Sequence, residues 1–173
     1  RYMIKTALLQ IRCDVLRHLA PVSRQKRQHH GGAFLIKEAL DLFLKETDPE
    51  LVQFQMDAYW VKRAGFDPIQ MLEKLGSRCT MIHQKDLAAQ ADPVNLYEAI
   101  EPPVTADAFK KLREVGALKN GDFVAVGKGI LDVPGIVNKA KELGYAKYII
   151  VELDNLNSVS AVKESLDYLN RLV

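Results

Sequence analysis

Apolar residues in this chain change their spacing several times, and each change marks an element. From Tyr2 to about Leu19, Ile4, Leu8, Ile11, Val15 and Leu19 recur at helical spacing with Arg and Lys between them, which predicts an amphipathic helix. The stretch Pro21 to Gly32 (PVSRQKRQHHGG) has neither periodicity nor apolar content and reads as an exposed basic linker. From Phe34 to about Glu46, the spacing of Ile36, Leu40 and Phe43 predicts a second helix, ended by the turn from Thr47 to Pro49. Leu51 to Asp57 then alternates Val52, Phe54 and Met56 against Gln53 and Gln55, the period of a strand, and closes on an acid.

The alternation continues downstream. Asp67 followed by Pro68 supplies an N-cap and a favoured first helical residue, after which Ile69, Leu72 and Leu75 form a stripe closed by Gly76. Cys79 to Ile82 is a short strand running into His83. Between residues 87 and 122 the pattern is less regular, with Pro102 and Pro103 marking a loop and a helix expected from about Ala106 to Val115 before Gly116. Phe123 to Val126 is a short apolar segment leading into Gly127 and Gly129. Asp132 and Pro134 start a helix with Ile136, Val137, Ala140 and Leu143 inward, stopped by Gly144. Tyr148 to Val151 is a continuous apolar run, as expected of a parallel strand covered on both faces, and it too ends on an acid, Glu152. A last helix from Ser158 to about Leu172 spaces Val159, Val162, Leu166, Leu169 and Val173 in a heptad-like stripe. Strands alternating with helices make this an α/β chain of βα units with a parallel sheet.

Length restricts the architecture. The 173 residues, 48% hydrophobic and 27% charged, suit one ordinary globular domain. A complete (β/α)8 barrel needs about 250 residues and seldom fewer than about 200, so an incomplete barrel is expected. No apolar run approaches the roughly 20 residues that span a bilayer, and no signal-peptide pattern opens the chain, which gives a cytoplasmic reading with no membrane partner. Cys13 and Cys79 form no CxxC pair and are read as reduced thiols. Residues 1 to 33 hold seven Lys or Arg and one acid, Asp14, against 17 basic and 21 acidic residues in the rest. Two regions follow: a basic leader over 1–33, helix plus linker, and the βα region over 34–173.

Three expected strands end with Asp57, His83 and Glu152, and in a βα barrel the C-terminal strand ends converge on one mouth. Two carboxylates and an imidazole form a mixed oxygen and nitrogen set suited to Mn²⁺, Mg²⁺, Co²⁺ or Zn²⁺. Polar residues at strand ends also cap loops and form ion pairs, and the residues alone leave both readings open.

The segment FQMDAYWVKRAGFDPIQMLEKLGSRCTMIHQKDL resembles the sugar-phosphate isomerase/epimerase family of xylose-isomerase-like TIM barrels. The resemblance rests on Asp57, Trp60, Gly65, Asp67, Pro68, Arg78, His83, Lys85 and Asp86 in order, then GKGILDVPGI, YIIVELD and a terminal helix with Ser165, Tyr168 and Leu169. It covers about residues 34 to 173 and implies the C-terminal half of such a barrel, with Asp57, His83 and Glu152 as metal ligands from its sixth, seventh and eighth strands. The implied chemistry is isomerisation or epimerisation of a sugar or sugar phosphate by proton removal beside a carbonyl, through an enediolate, with a divalent metal and Glu152 as base. Lys85 would meet a substrate oxygen or phosphate as a point charge, with an ion pair to Asp86 or a neighbour as the plain alternative. Trp60 would wall the substrate pocket or simply pack.

The sequence departs from this pattern in two places. No fifth-strand acid is found upstream, where His29 and His30 sit in the linker, and Lys128 stands between Gly127 and Gly129 where relatives often carry an acid. Competing readings are an abasic-site endonuclease with three zinc ions, for which four histidines are too few, and an inactive half-barrel remnant. A half barrel leaves open sheet edges, so self-association is expected. Nucleic-acid binding through the basic run RQKRQHH has no interleaved aromatics to support it.

Overall fold

The sheet begins where the sequence first adopts period two. The computed structural model describes residues 40–91, 120–153 and 159–173. The basic region 1–33 with His29 and His30, the helix expected from Ala106 to Val115, and Ser158 at the expected start of the last helix lie outside the described residues. Helix α1 (residues 40–46) precedes strand β1 (Phe54–Asp57), which passes directly into the short helix α2 (Ala58–Arg63) and then α3 (Pro68–Leu75). Strand β2 (Cys79–Gln84) is followed by β3 (Asp86–Leu87), β4 (Phe123–Val124), α4 (Val133–Leu143), β5 (Tyr148–Val151) and α5 (Val159–Leu169).

The expected caps close these helices. The Asp67 carboxylate accepts from the amides of Ile69 (2.8 Å) and Gln70 (3.0 Å) at the start of α3, with Pro68 in the first turn. Asp132 accepts from Gly135 N at 2.9 Å to start α4, and Gly144 ends that helix in the left-handed region at φ 71°. Lys139 on α4 bridges to Glu73 on α3 at 2.9 Å, a partly exposed pair of small energetic weight beside the apolar packing of the two helices. Among the described residues no helix is long and apolar enough to cross a membrane.

Strands β1, β2 and β5 form a parallel sheet in the order β1-β2-β5. Register assigns the residues of each strand to two faces, because side chains alternate along a strand and in-register neighbours share a side. Met56, Ile82 and Ile149 are in register and join the cluster containing Leu72, Leu75, Ile136 and Val137. Asp57, His83 and Ile150 are in register on the opposite face. The sheet thus has an outer face that packs under α3 and α4 and an inner face that begins with chemistry.

Arg78, one of the motif residues, fastens this frame together. Its guanidinium donates to the carbonyls of Val52 (3.0 Å) and Leu44 (2.9 Å) and to Thr47 Oγ1 (2.6 Å), and lies 4.7 Å from the centre of the Phe54 ring. It joins the end of α1 and the following turn to the turn that leads into β2. Carbonyls that would otherwise lack partners near the core are satisfied by one planar cation.

Three sequence expectations change in the structure. The alternation in β1 does not translate into alternating burial, since Gln55 is buried along with Phe54 and Met56. Among the described residues strand β5 pairs only with β2 and is covered on one face, with Tyr148 and Ile150 64% and 41% exposed. An edge strand on an open inner face has nothing described against that side. The heptad-like stripe of the last helix is also divided: Val159, Val162, Leu166 and Val173 are exposed, while Leu169 faces the core together with Ser165. Ser165 accepts from Val126 N at 2.9 Å and donates to Ala161 O at 2.7 Å, which explains how a hydroxyl can occupy the inward position.

The short apolar segment at Phe123 leaves the parallel sheet altogether. It pairs antiparallel with β3, placing Val124 opposite Asp86 and Phe123 opposite Leu87. The loop that follows is organised by Asp86, whose buried carboxylate accepts from the amides of Gly127 (2.8 Å), Gly129 (3.0 Å), Leu131 (3.1 Å) and Leu87 (2.9 Å). Glycine is required at 129, because a Cβ there would lie 2.2 Å from Asp86 Oδ1 and 2.3 Å from Leu87 O.

Candidate metal centre

Register and strand alternation bring the three strand-end residues together. Asp57 is in register with His83 on the neighbouring strand. His83 is in register with Ile150, so Glu152, two residues on, returns to the same inner face, as does Lys85 two residues after His83. Continuing the β2–β5 register puts Lys85 beside Glu152. The C-terminal ends of three parallel strands therefore converge, as the sequence implied.

His83 stands between the two carboxylates. Its Nδ1 is 3.3 Å from Asp57 Oδ2 and its Nε2 is 2.6 Å from Glu152 Oε2. The His83 side chain is 8% exposed and that of Asp57 10%, whereas Glu152 is 37% exposed on the open edge strand. The other oxygen of Asp57 is already committed: Oδ1 accepts from Trp60 N at 3.0 Å and caps α2. That bond fixes the carboxylate so that Oδ2 faces the imidazole.

The donor atoms fit a divalent cation. Asp57, His83 and Glu152 each offer one ligand atom, and these atoms all lie within 4.8 Å of one another. Asp57 Oδ2, His83 Nδ1 and Glu152 Oε2 are buried atoms whose close ion-pair contacts lack the angles of a hydrogen bond. Buried polar atoms left so are costly, and a cation among them would satisfy all three. His83 is the sole histidine among the described residues, which gives no support to a three-zinc cluster.

Lys85 and Trp60 are brought to the same place. The Lys85 side chain, 3% exposed, puts Nζ 2.8 Å from Glu152 Oε2 and 3.6 Å from Asp57 Oδ2. Of the partners considered for it in the sequence, Asp86 is excluded, since that carboxylate is turned to the glycine loop. Nζ also lies 5.8 Å from the centre of the Trp60 ring and 6.0 Å from that of Phe123. Trp60 is half-buried and meets Tyr59 edge-on, while Tyr59 stacks on Phe123 with centroids 4.6 Å apart. Phe123 is a wall of the site that sequence reasoning missed; only its place just before the glycine loop could have pointed to it. Lys128 is exposed on that loop.

Comparisons with known proteins bear on the fold and the sequence rather than on these distances. No family model matches the chain. It is 28% identical over 149 residues to an inosose dehydratase of Geobacillus kaustophilus, an alignment that covers 84% of this chain and 44% of that protein. Among solved structures it is similar to a sugar phosphate isomerase/epimerase from Parabacteroides distasonis, with 25% identity and a TM-score of 0.50, over 76% of this chain and 36% of that one. It shares the fold of a xylose isomerase domain protein from Planctomyces limnophilus (20% identity, TM-score 0.55, 82% of this chain and 43% of that one). It also shares the fold of the IolI protein, whose crystal structure holds a zinc atom (17% identity, TM-score 0.52, 79% and 42%). The chain spans less than half the length of each of these proteins. In sequence the chain is similar to inosose dehydratases and to a sugar phosphate isomerase/epimerase, its structural neighbours are xylose-isomerase-like TIM barrels, and it covers only part of each.

Proposed function

We propose that this chain contributes the metal-binding and proton-transfer end of a divalent-metal-dependent enzyme that isomerises or epimerises a sugar or sugar phosphate. The observation that carries the proposal is the convergence of Asp57, His83 and Glu152 donor atoms within 4.8 Å at the ends of three parallel strands. The zinc atom in the IolI structure, which has the same fold, supports a metal in this family of barrels. When bound, such an ion supplies Lewis acidity that polarises a substrate carbonyl.

The remaining chemistry belongs to the chain's own side chains. Asp57 and His83 are the ligands on the buried side, held by the α2 cap and by the sheet register. Glu152 is the ligand nearest solvent and is our candidate base: it takes the proton from the carbon beside the carbonyl. Returning that proton to the adjacent carbon gives an isomer, and returning one to the opposite face gives an epimer. Lys85 lies where its ammonium can meet a substrate oxygen, and Trp60 offers an aromatic surface next to it.

The name of the Geobacillus kaustophilus relative favours a second outcome of the same first step. After the proton leaves, loss of hydroxide from the next carbon completes a dehydration rather than an isomerisation. The readings separate by product analysis. Proton exchange into an inosose or a ketose in D₂O, lost in Glu152→Gln, is expected under both, and release of water marks the dehydratase. A chain that binds none of Mn²⁺, Co²⁺ or Zn²⁺ at micromolar concentration contradicts the whole proposal.

We also infer that the exposed edge of β5 draws copies of this chain together. Light scattering is expected to give a mass above that of one chain, and a well-folded monomer would contradict it.

A further inference from the structure

Lys85 is a buried cation that forms ion pairs with the carboxylates of Asp57 and Glu152, the two assigned to the metal. Nζ approaches Glu152 Oε2 at 2.8 Å and Asp57 Oδ2 at 3.6 Å, and these are the same two oxygens that face His83. A dication held by Asp57, His83 and Glu152 would draw on oxygens already shared with an ammonium. The side chain is 3% exposed, so solvent screens it little. It is also hemmed in by the Trp60 and Phe123 rings.

We propose that Lys85 is a positioning residue that competes with the divalent ion: it neutralises the Asp57 and Glu152 oxygens, holds them in ligand geometry, and lowers the affinity of the site for metal. This rests on the metal reading above and deepens it. Two consequences of opposite sign follow from one contact. Removing the charge leaves the buried Asp57 carboxylate and the half-buried Glu152 carboxylate facing each other across His83, which destabilises the metal-free fold. The same removal takes away a positive charge next to the incoming ion, which strengthens metal binding. A lysine with a merely structural role would move the first quantity and leave the second unchanged or weakened.

The test is calorimetric titration of Mn²⁺ into the purified chain and its Lys85→Met, Lys85→Gln and Lys85→Arg variants, with thermal melting in chelator alongside. Lys85→Met and Lys85→Gln are expected to bind Mn²⁺ about tenfold more tightly or better while melting at lower temperature in chelator. Lys85→Arg, which keeps the charge, is expected to return both values toward those of the wild type. The glutamine variant keeps a polar donor of similar reach and carries the test if the methionine variant does not fold. Wild-type binding together with equal or weaker binding by the folded neutral variants overturns this inference and leaves the metal site standing. Absence of Mn²⁺ binding in all four chains overturns the metal reading and this inference with it. Binding by the neutral variants alone supports both.

Discussion

The two faces of the β1-β2-β5 sheet do different work with the same backbone. On the outer face Met56 and Ile82 are fully buried, and Ile149 packs against the cluster of Leu72, Leu75, Ile136 and Val137. One residue further along each strand, on the inner face, stand Asp57, His83 and Ile150, followed by Lys85 and Glu152. Apolar burial fixes the strands from outside, and that rigidity places charged groups inside at distances they would not choose if free. The charged residues of the site thus obtain their geometry from a core to which they contribute no apolar side chain. Substitutions on the two faces should therefore separate metal affinity from stability.

The largest expected effect is on the inner face. His83→Ala removes one of three donors and is expected to weaken Mn²⁺ binding by at least about a hundredfold, measured by titration, with little loss of melting temperature. Equal loss of stability and affinity would break the comparison. Asp57→Ala should lose affinity similarly and cost a further ~1 kcal/mol, because Asp57 also caps α2.

Next comes the rim that joins the faces. Asp86→Ala strips four backbone amides of their acceptor and is expected to cost about 4 kcal/mol in denaturant unfolding. The outer face follows: Met56→Ala opens a cavity in a fully buried position and should cost about 3 kcal/mol while leaving Mn²⁺ affinity within about threefold of wild type. Tyr148→Ser, on the exposed edge, is expected to shift stability by no more than about 0.5 kcal/mol in the unassociated chain.

Cys79 gives the comparison a pH axis. Burial pushes its thiol from an ordinary 9.0 up to about 11. The unfolded chain loses this proton near 9 and the folded chain holds it until about 11. Its contribution is thus fully present below pH 9 and is lost as pH rises through that window, by roughly 3 kcal/mol. Thiol-reagent labelling at pH 8 should find Cys79 protected while the chain is folded and reactive once it is unfolded.

Much of this was legible in the sequence because it depends on local rules. Asp67-Pro68 and Asp132 with Pro134 start helices, Gly76 and Gly144 end them, and the strand ends at Asp57, His83 and Glu152 converge once the strands are parallel. What was not legible depends on partners far away in the chain. The antiparallel β3–β4 pair joins residues 86–87 to 123–124, and nothing near either segment announces the other. The Phe123 wall and the role of Asp86 follow from that pairing. The apolar run Tyr148 to Val151 suggested cover on both faces, but apolar composition records what a strand can bury and not what lies against it. The inward position of Ser165 on α5 depends likewise on distant partners: its hydroxyl is satisfied by Val126 N and Ala161 O, while Val159, Val162 and Leu166 are exposed.

The central claim is that the inner face holds a divalent metal through Asp57, His83 and Glu152. It is tested most directly by titrating Mn²⁺ into the chelator-treated wild-type chain and the Glu152→Gln variant side by side. One equivalent is expected to bind at micromolar affinity or better in the wild type, with a loss of at least about tenfold in the variant. No binding by the folded wild type, or equal binding by both chains, would contradict it.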